Sequence, residues 1–521
     1  MPFPFPIDDT LVLKWFRECT PKVLVVTDGL SFNAASSFGL NEFVDTLRAS
    51  TVHGMVPNVR TALFNPNTGP GNELSFDAVT NHITNYKFAD ATHGVLKSRY
   101  DVVFILGSGG AAGPLLTSEA GALEAMTAFM QAGGGVFCTG DHADLGAGLC
   151  KDIPRVRNMR LWTAGVPSAG GTDRLTTNLP GRGDLPASND TYEFSDQSDR
   201  FPQRLHVNFR TVSGGVDLAH PLLQVPAALR AIEVFPDHPH EGECVLPAAL
   251  TTKLADGVTD EWPVAALGTR TPPEVVAVTM SSGNRFPGKS SVVPRSFIAI
   301  CAYDGQTANV GRVVTDATWH HFVNINIKPG MSALAGRDLS DIKQYYANLA
   351  TWLMPKHVRM CLRFPLIVRE LVRFPLFEEL VPIPRPQWSG PRLLDVGRLV
   401  EQSMLTRMTD GEVGALIHDL LEEGTSPETR RQLDSLKGEV VGISAREAGL
   451  AALGALTLET AERYNEVRGK AALNGELSGE QVFAGLGKEA TSFAVKHYLS
   501  DAQKRLKKLG SLINAFTEVN R

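Results

Sequence analysis

The sequence predicts a doubly wound α/β domain followed by an all-α domain. Three features carry this prediction: short β-branched runs that stop in loops or glycine turns, a helix bounded by two such turns, and a switch to helical apolar spacing after Pro391. Lys22–Asp28 (KVLVVTD) is apolar without alternation until it stops at Asp28-Gly29, as expected of a strand buried on both faces. Helical periodicity covers Ser37–Ser50, and a second strand is expected at Arg60–Phe64. Asp101–Gly107 (DVVFILG) is another buried run, followed by the turn Ser108-Gly109-Gly110. A helix is expected from Thr117, a good N-cap, with Glu119 in its first turn, to about Gln131. Gly133-Gly134-Gly135 ends that helix, and Val136–Thr139 runs into Gly140-Asp141-His142. Strand, glycine turn, helix, glycine turn and strand predict a right-handed βαβ unit in a parallel sheet. Sites in such sheets lie at the carboxyl ends of strands, which places Asp28, Ser108–Gly110 and Asp141–His142 on one rim.

Residues 150–210 are rich in Gly, Pro, Asp and Ser and predict a loop-rich insertion over the cleft. Strands are expected at Val275–Met280, Ser296–Ala302 and Gly311–Thr315, then a helix at Asp341–Met354. The α/β domain therefore spans 1–354. In 355–391 the text RFPL occurs at Arg363 and again at Arg373, and Pro382, Pro384 and Pro386 follow. This connector is too apolar to be a free linker and should pack on a surface. Residues 392–521 read as four or five helices, with capping signals at Thr409/Glu412, Ser426-Pro427, Ser444/Glu447 and Ser478/Gln481.

The chain of 521 residues is 43% hydrophobic and 20% charged, enough for two or three domains at roughly 100–200 residues each. A net charge of -6 argues against a protein that coats nucleic acid. The six cysteines form no CxxC pair, which predicts free thiols in a reducing compartment. MPFPFPIDDT lacks the features of a secretory leader, and no run of about 18 uncharged apolar residues occurs to span a membrane. A cytoplasmic location is the expectation.

The most informative segment is Gly133–Gly146, GGGVFCTGDHADLG. A strand entering a sharp glycine turn lifts the residue after it over the sheet rim, beside backbone amides that suit an anion. With SRYDVVFILGSGG (98–110) before it and LAHPLL (218–223) after it, the segment resembles the ThuA-like (trehalose-utilisation) branch of the class I glutamine amidotransferase-like superfamily. The resemblance covers roughly residues 20–325. It implies a flavodoxin-like sheet and a small polar, carbohydrate-type ligand, without supplying a reaction. Where class I glutamine amidotransferases carry cysteine, this chain has His142. Cys138 lies four residues upstream within the strand, and G-x-S-x-G does not occur, so neither cysteine nor serine hydrolysis is expected.

Histidines gather near carboxylates: His142 between Asp141 and Asp144, His238 and His240 in DHPHEGE, and His320-His321 after Asp316 in TDATWHHF. Such sets suit Zn, Mn or Fe(II). His142, His320 and one of Asp141 or Asp316, with Asp316 preferred, would form the ligand set if they met on the rim; the His238–Glu243 cluster reads as a solvated loop. Without a metal, His142, His320 and Asp141 are the candidate acid–base residues. Asp28, Ser108, Gly109 and Gly110 are the candidate ligand contacts, the turn offering amides to an anion without the P-loop or dinucleotide pattern. The basic helical segment Lys504–Leu509 would suit an anionic membrane surface or a partner groove, and equally a solvated face. Two readings follow. One is a hydrolase or isomerase-type enzyme acting on a small polar molecule. The other is a non-catalytic ligand-binding or scaffold module that assembles, with itself or a partner, through its helical domain.

Overall fold

The computed structural model describes residues 19–66, 75–77, 81–110, 112–113, 115–141, 144–162, 202–212, 216–226, 230–236, 242–265, 268–281, 295–331, 338–373, 383–426, 428–429, 433, 444–468 and 486–519. The strands in chain order are β1 (Lys22–Thr27), β2 (Asn58–Phe64), β3 (Ser75–Asp77), β4 (His82–Tyr86), β5 (Val102–Leu106), β6 (Gly135–Thr139), β7 (Gln203–Arg204), β8 (His206–Val207), β9 (Phe209–Val212), β10 (Val216–Ala219), β11 (Val234–Phe235), β12 (Glu274–Ser281), β13 (Arg295–Tyr303) and β14 (Val313–Asp316). Ten of them form one sheet in the order β3-β4-β2-β1-β5-β6-β14-β13-β12-β8. The stretch from β4 to β14 is parallel, and β3, β13, β12 and β8 run antiparallel to their neighbours.

The register matters most for function. Thr27 lies opposite Leu106, Leu106 opposite Thr139, and Thr139 opposite Asp316. Four strands thus end level, and the residues following them share one rim, as the glycine turns predict.

The helices are α1 (Asn41–Ala49), α2 (Ala122–Gln131), α3 (Ala147–Cys150), α4 (Asn324–Ile327), α5 (Ser340–Leu353), α6 (Lys356–Arg373), α7 (Gly390–Leu405), α8 (Asp410–Gly424), α9 (Ala445–Arg468) and α10 (Lys488–Val519). Alternate residues of the buried strands enter two cores. Val23, Val25, Phe104 and Phe137 meet Phe43, Phe322 and Tyr346 on one face. Leu24, Val26, Val103 and Ile105 meet Met126 and Phe129 on the other. The first core continues without a break into α6–α10, so the helical region closes over one side of the sheet. In α7 and α9, Gly397 and Gly454 let the backbones touch, because a Cβ on either would sit within 2.0 Å of a carbonyl of the other helix. Among the described residues, no helix is long and apolar enough to cross a membrane.

Three expectations are corrected. Glu119 does not serve a helix start at Thr117: its carboxylate accepts the amides of Phe88 and Ala89, both at 2.7 Å, and α2 begins at Ala122 after Gly121 at φ 82°. The connector opens with an 18-residue helix that carries Pro365 inside it. Burial of Val358, Leu362, Ile367 and Val368 offsets the backbone hydrogen bond that proline forgoes. At the start of the insertion the Arg155 amide and Nε donate to Glu261. Finally, Cys19 and Cys361 form a disulfide, Cα to Cα 5.6 Å, across a separation of 342 residues that local spacing does not reveal. The other four cysteines are free and buried.

At the start of α8 the expected capping box is formed: the Glu412 amide donates to Thr409 Oγ1 (3.2 Å), and the Thr409 amide donates to Glu412 Oε2 (2.8 Å). Burial pushes the Glu412 carboxyl up to about 7, against the pull of both Thr409 bonds. The fold therefore favours the protonated acid. Its contribution is complete below the unfolded value of 4.5 and is lost as pH rises through about 7. Denaturant unfolding should show stability falling over that window by up to about 3 kcal/mol. Glu412→Gln, which keeps the cap, should flatten the profile; an unchanged slope would contradict the assignment.

Candidate functional site

The rim is built by two loops that touch backbone to backbone. After β6, Gly140 turns so tightly that a Cβ there would lie 2.1 Å from the Leu145 carbonyl. After β5, a Cβ on Gly107 would lie 2.7 Å from the Gly146 Cα, and Gly146 itself sits at φ 92°. These glycines are required by close approach and by a left-handed backbone.

Asp141 follows Gly140 and is fully buried. Its Oδ1 accepts the Thr318 hydroxyl at 2.8 Å, and its Oδ2 lies 3.3 Å from His320 Nε2. Thr318 also caps the turn Trp319–Phe322, accepting the His320 amide at 3.0 Å. The His320 ring stacks on Trp319 (centroids 4.4 Å apart, 15° between planes), and Phe38 approaches it edge-on at 6.1 Å. Its side chain is 15% exposed and that of Asp141 1%, so the imidazole is the face this pair offers to solvent. Phe38 is 47% exposed on a loop that buried Asn324 pins, its side-chain amide donating to the Asn33 and Ser36 carbonyls.

Behind the pair lies Arg160, buried, its guanidinium 4.5 Å over the Trp162 ring. Nη2 donates to the carbonyls of Asp141 (2.8 Å) and Ala317 (2.7 Å), Nε to Asp316 (3.2 Å) and Nη1 to Leu161 (2.9 Å). One cation thus joins the turn after β6 to the segment after β14. Burial lowers its pKa, and Cys244, Asp141 and Asp316 oppose that.

A second network runs deeper. Asp316 Oδ1 lies 2.9 Å from His321 Nδ1 and accepts the Thr318 amide at 3.2 Å, while Oδ2 accepts the Tyr345 hydroxyl at 2.8 Å. His321 Nε2 meets Gln203 Oε1. Burial, then the charge of Asp316, pushes the Tyr345 hydroxyl pKa well above its ordinary value, so Tyr345 remains a donor.

The structure therefore brings Asp141 and His320 together but gives Asp316 to His321. The tight turn after β14 sends successive histidines to different carboxylates, which a count of residues does not resolve. With both Asp316 oxygens engaged by protein donors, Asp316 does not fit the expected metal-ligand set with His320. Among the described residues, no three His, Cys, Asp or Glu side chains converge as metal ligands. His142, like His238 and His240, lies outside the described residues. Asp28 reaches the rim as a clamp: its Oδ1 accepts the Ser108 amide (2.6 Å) and hydroxyl (2.9 Å), and its Oδ2 accepts the Gly109 amide (3.0 Å). The Ser108 and Gly109 amides expected to hold an anion are thus directed at a carboxylate of the chain itself. Gly110 lies against Asp144, 2.9 Å from where a Cβ would stand. Sequence reasoning missed Arg160, Phe38 and Tyr345, none of which stands in a motif, and gave Trp319 of TDATWHHF no role. Thr318 had a signal, a hydroxyl two residues before a histidine pair, as an N-cap would place it.

Compared with family models, curated proteins and solved structures, the chain matches none.

Gly242 packs under this rim: a Cβ there would lie 1.7 Å from the Ala317 carbonyl and 2.7 Å from Arg160 Nη2. Gly242→Ala should destabilise the protein by about 3 kcal/mol or more in denaturant unfolding. Gly414→Ala, in α8 with nothing within 4 Å, should instead stabilise it by about 0.5–1 kcal/mol. Equal effects at the two sites would contradict the packing described.

Proposed function

We propose that the chain is an acid–base enzyme, a hydrolase or isomerase-type catalyst of the ThuA-like kind, acting on a small polar molecule at the rim. The observation that carries this reading is the Asp141–His320 pair, a buried carboxylate oriented by Thr318 beside a partly exposed imidazole. The order of the parallel strands β2-β1-β5-β6-β14 supports the flavodoxin-like part of the reading, since it matches the second-first-third-fourth-fifth pattern of that fold with β4 added at one edge.

In this proposal His320 exchanges protons with substrate or water. An imidazole does so near neutral pH without large tuning. Its Nε2 faces Asp141, so the working nitrogen is Nδ1. Asp141 holds the ring in one orientation and stabilises the imidazolium that forms. His142 follows Asp141 directly in sequence and is the candidate for a second imidazole.

One observation favours the scaffold reading. Residues 503–511 of α10 are exposed, and among them Leu506 (39%) and Leu509 (50%) alternate with Lys504, Arg505, Lys507 and Lys508. That surface suits assembly or an anionic membrane.

The deciding experiment follows small sugars, sugar acids and their esters by proton NMR in the presence of the protein. The enzyme reading expects turnover of at least one, lowered about 10²–10⁴-fold in His320→Ala and less in Asp141→Asn, with folding retained. No turnover of any compound, or full activity in His320→Ala, would rule against it.

A further inference from the structure

A cavity of about 250 Å³ lies at the amino end of the parallel strands, the length of β1 away from the rim. Its walls are Lys22, Asn58, Arg60, Ser98, Arg99 and Tyr100. The register builds it. Lys22 opens β1 and stands opposite Asn58, which opens β2. Arg60, two residues further along β2, shares the face of Asn58. Ser98, Arg99 and Tyr100 arrive from the segment before β5, where Asp101 accepts the Lys22 amide at 2.8 Å.

Among the described residues, three cations line this space and no carboxylate does. All three are half-buried. Lys22 Nζ meets the Ser98 carbonyl at 3.3 Å and forms no ion pair among the described residues. Arg99 gives its donors to the carbonyls of Asp90, Ala91 and Gly94, which leave its charge in place. Arg60 donates to the Tyr100 oxygen, and Tyr100 donates onward to the His93 carbonyl at 3.1 Å. The neighbouring carboxylates are engaged elsewhere. Asp90 accepts the amides of Thr92 and His93, and Asp101 takes the Lys22 amide and lies 3.5 Å from His357. Neutral donors complete the wall. Asn58 Oδ1 accepts Asn81 at 3.1 Å, while its amino group and the Ser98 hydroxyl have no partner among the described residues. Like charges gathered in a half-buried space repel, and an anion bound between them relieves that repulsion.

We propose that this cavity binds the dianionic phosphate group of a small phosphomonoester, with Lys22 Nζ and the Asn58 amino group on its oxygens and Arg60 and Arg99 supplying the surrounding positive field. Charge and shape favour phosphate over carboxylate. A phosphomonoester carries a charge of about -1.5 to -2 near pH 7 and three strong acceptor oxygens, which suits cations arriving from three chain segments. The volume falls just below the range of about 300–1,000 Å³ typical of drug-sized ligands, so the organic remainder is small. The site shares no residue with the Asp141–His320 pair and stands whether or not that pair is catalytic.

The test uses the full chain in isothermal titration calorimetry. Glucose 6-phosphate, glycerol 3-phosphate, adenosine monophosphate and inorganic phosphate are offered singly, beside glucose, glycerol, adenosine and malonate. At least one phosphomonoester should bind, more weakly as salt is added, and its neutral parent should not. Lys22→Gln should weaken that binding about tenfold. Ser98→Glu, at an exposed position, sets a carboxylate into the wall and should abolish it, while His320→Ala should leave it unchanged. The proposal is overturned if no phosphomonoester binds, if malonate or the neutral parent binds as tightly, or if binding is indifferent to both Lys22→Gln and Ser98→Glu.

Discussion

Arg160 carries a charge into a place closed to water and directs its donors at four carbonyl oxygens from three chain segments. A guanidinium in such surroundings is tolerable only if its donors are matched. The carbonyls gain as much, since each receives a charged donor. The rim is thereby fixed: Asp141 can face His320 because the backbones that carry them are bonded to one planar group. Gly140, Gly146, Gly107 and Gly242 are the complementary requirement, small enough to let these segments close around the cation.

The two histidines of the Trp319–Phe322 turn divide the work by depth. His321 is sealed between Asp316, Gln203 and the rings of Phe235 and Phe322, a setting that orders the turn. His320 keeps an edge toward solvent between Trp319 and Phe38. One carboxylate thus serves architecture and the other orients the accessible imidazole.

Much of the fold was legible because its signals are local. Buried parallel strands have no alternation, so KVLVVTD and DVVFILG were readable, and the glycine turns after them marked the rim. The capping box at Thr409 was readable for the same reason. What escaped depends on contacts between distant residues. The Cys19–Cys361 pairing spans the chain, and the helix through Pro365 exists because its apolar face is covered. At the site, Asp141 and His320 were legible as residue types on a rim. Their pairing, the diversion of Asp316 to His321 and the whole role of Arg160 were not, because each depends on which way a turn points rather than on how many residues it contains. Asp28 was placed correctly at the rim, but its carboxylate closes the neighbouring turn.

The central claim is that the guanidinium of Arg160 holds Asp141 against His320. Arg160→Met keeps the length of the side chain and removes the charge and its hydrogen bonds. Following the His320 and Trp319 ring protons by NMR at one pH in both proteins tests it directly. The account predicts that the His320 ring resonances move in Arg160→Met, because the turn that stacks the imidazole on Trp319 is no longer bonded to the backbone of Asp141. Unchanged His320 resonances in a variant that remains folded would contradict it.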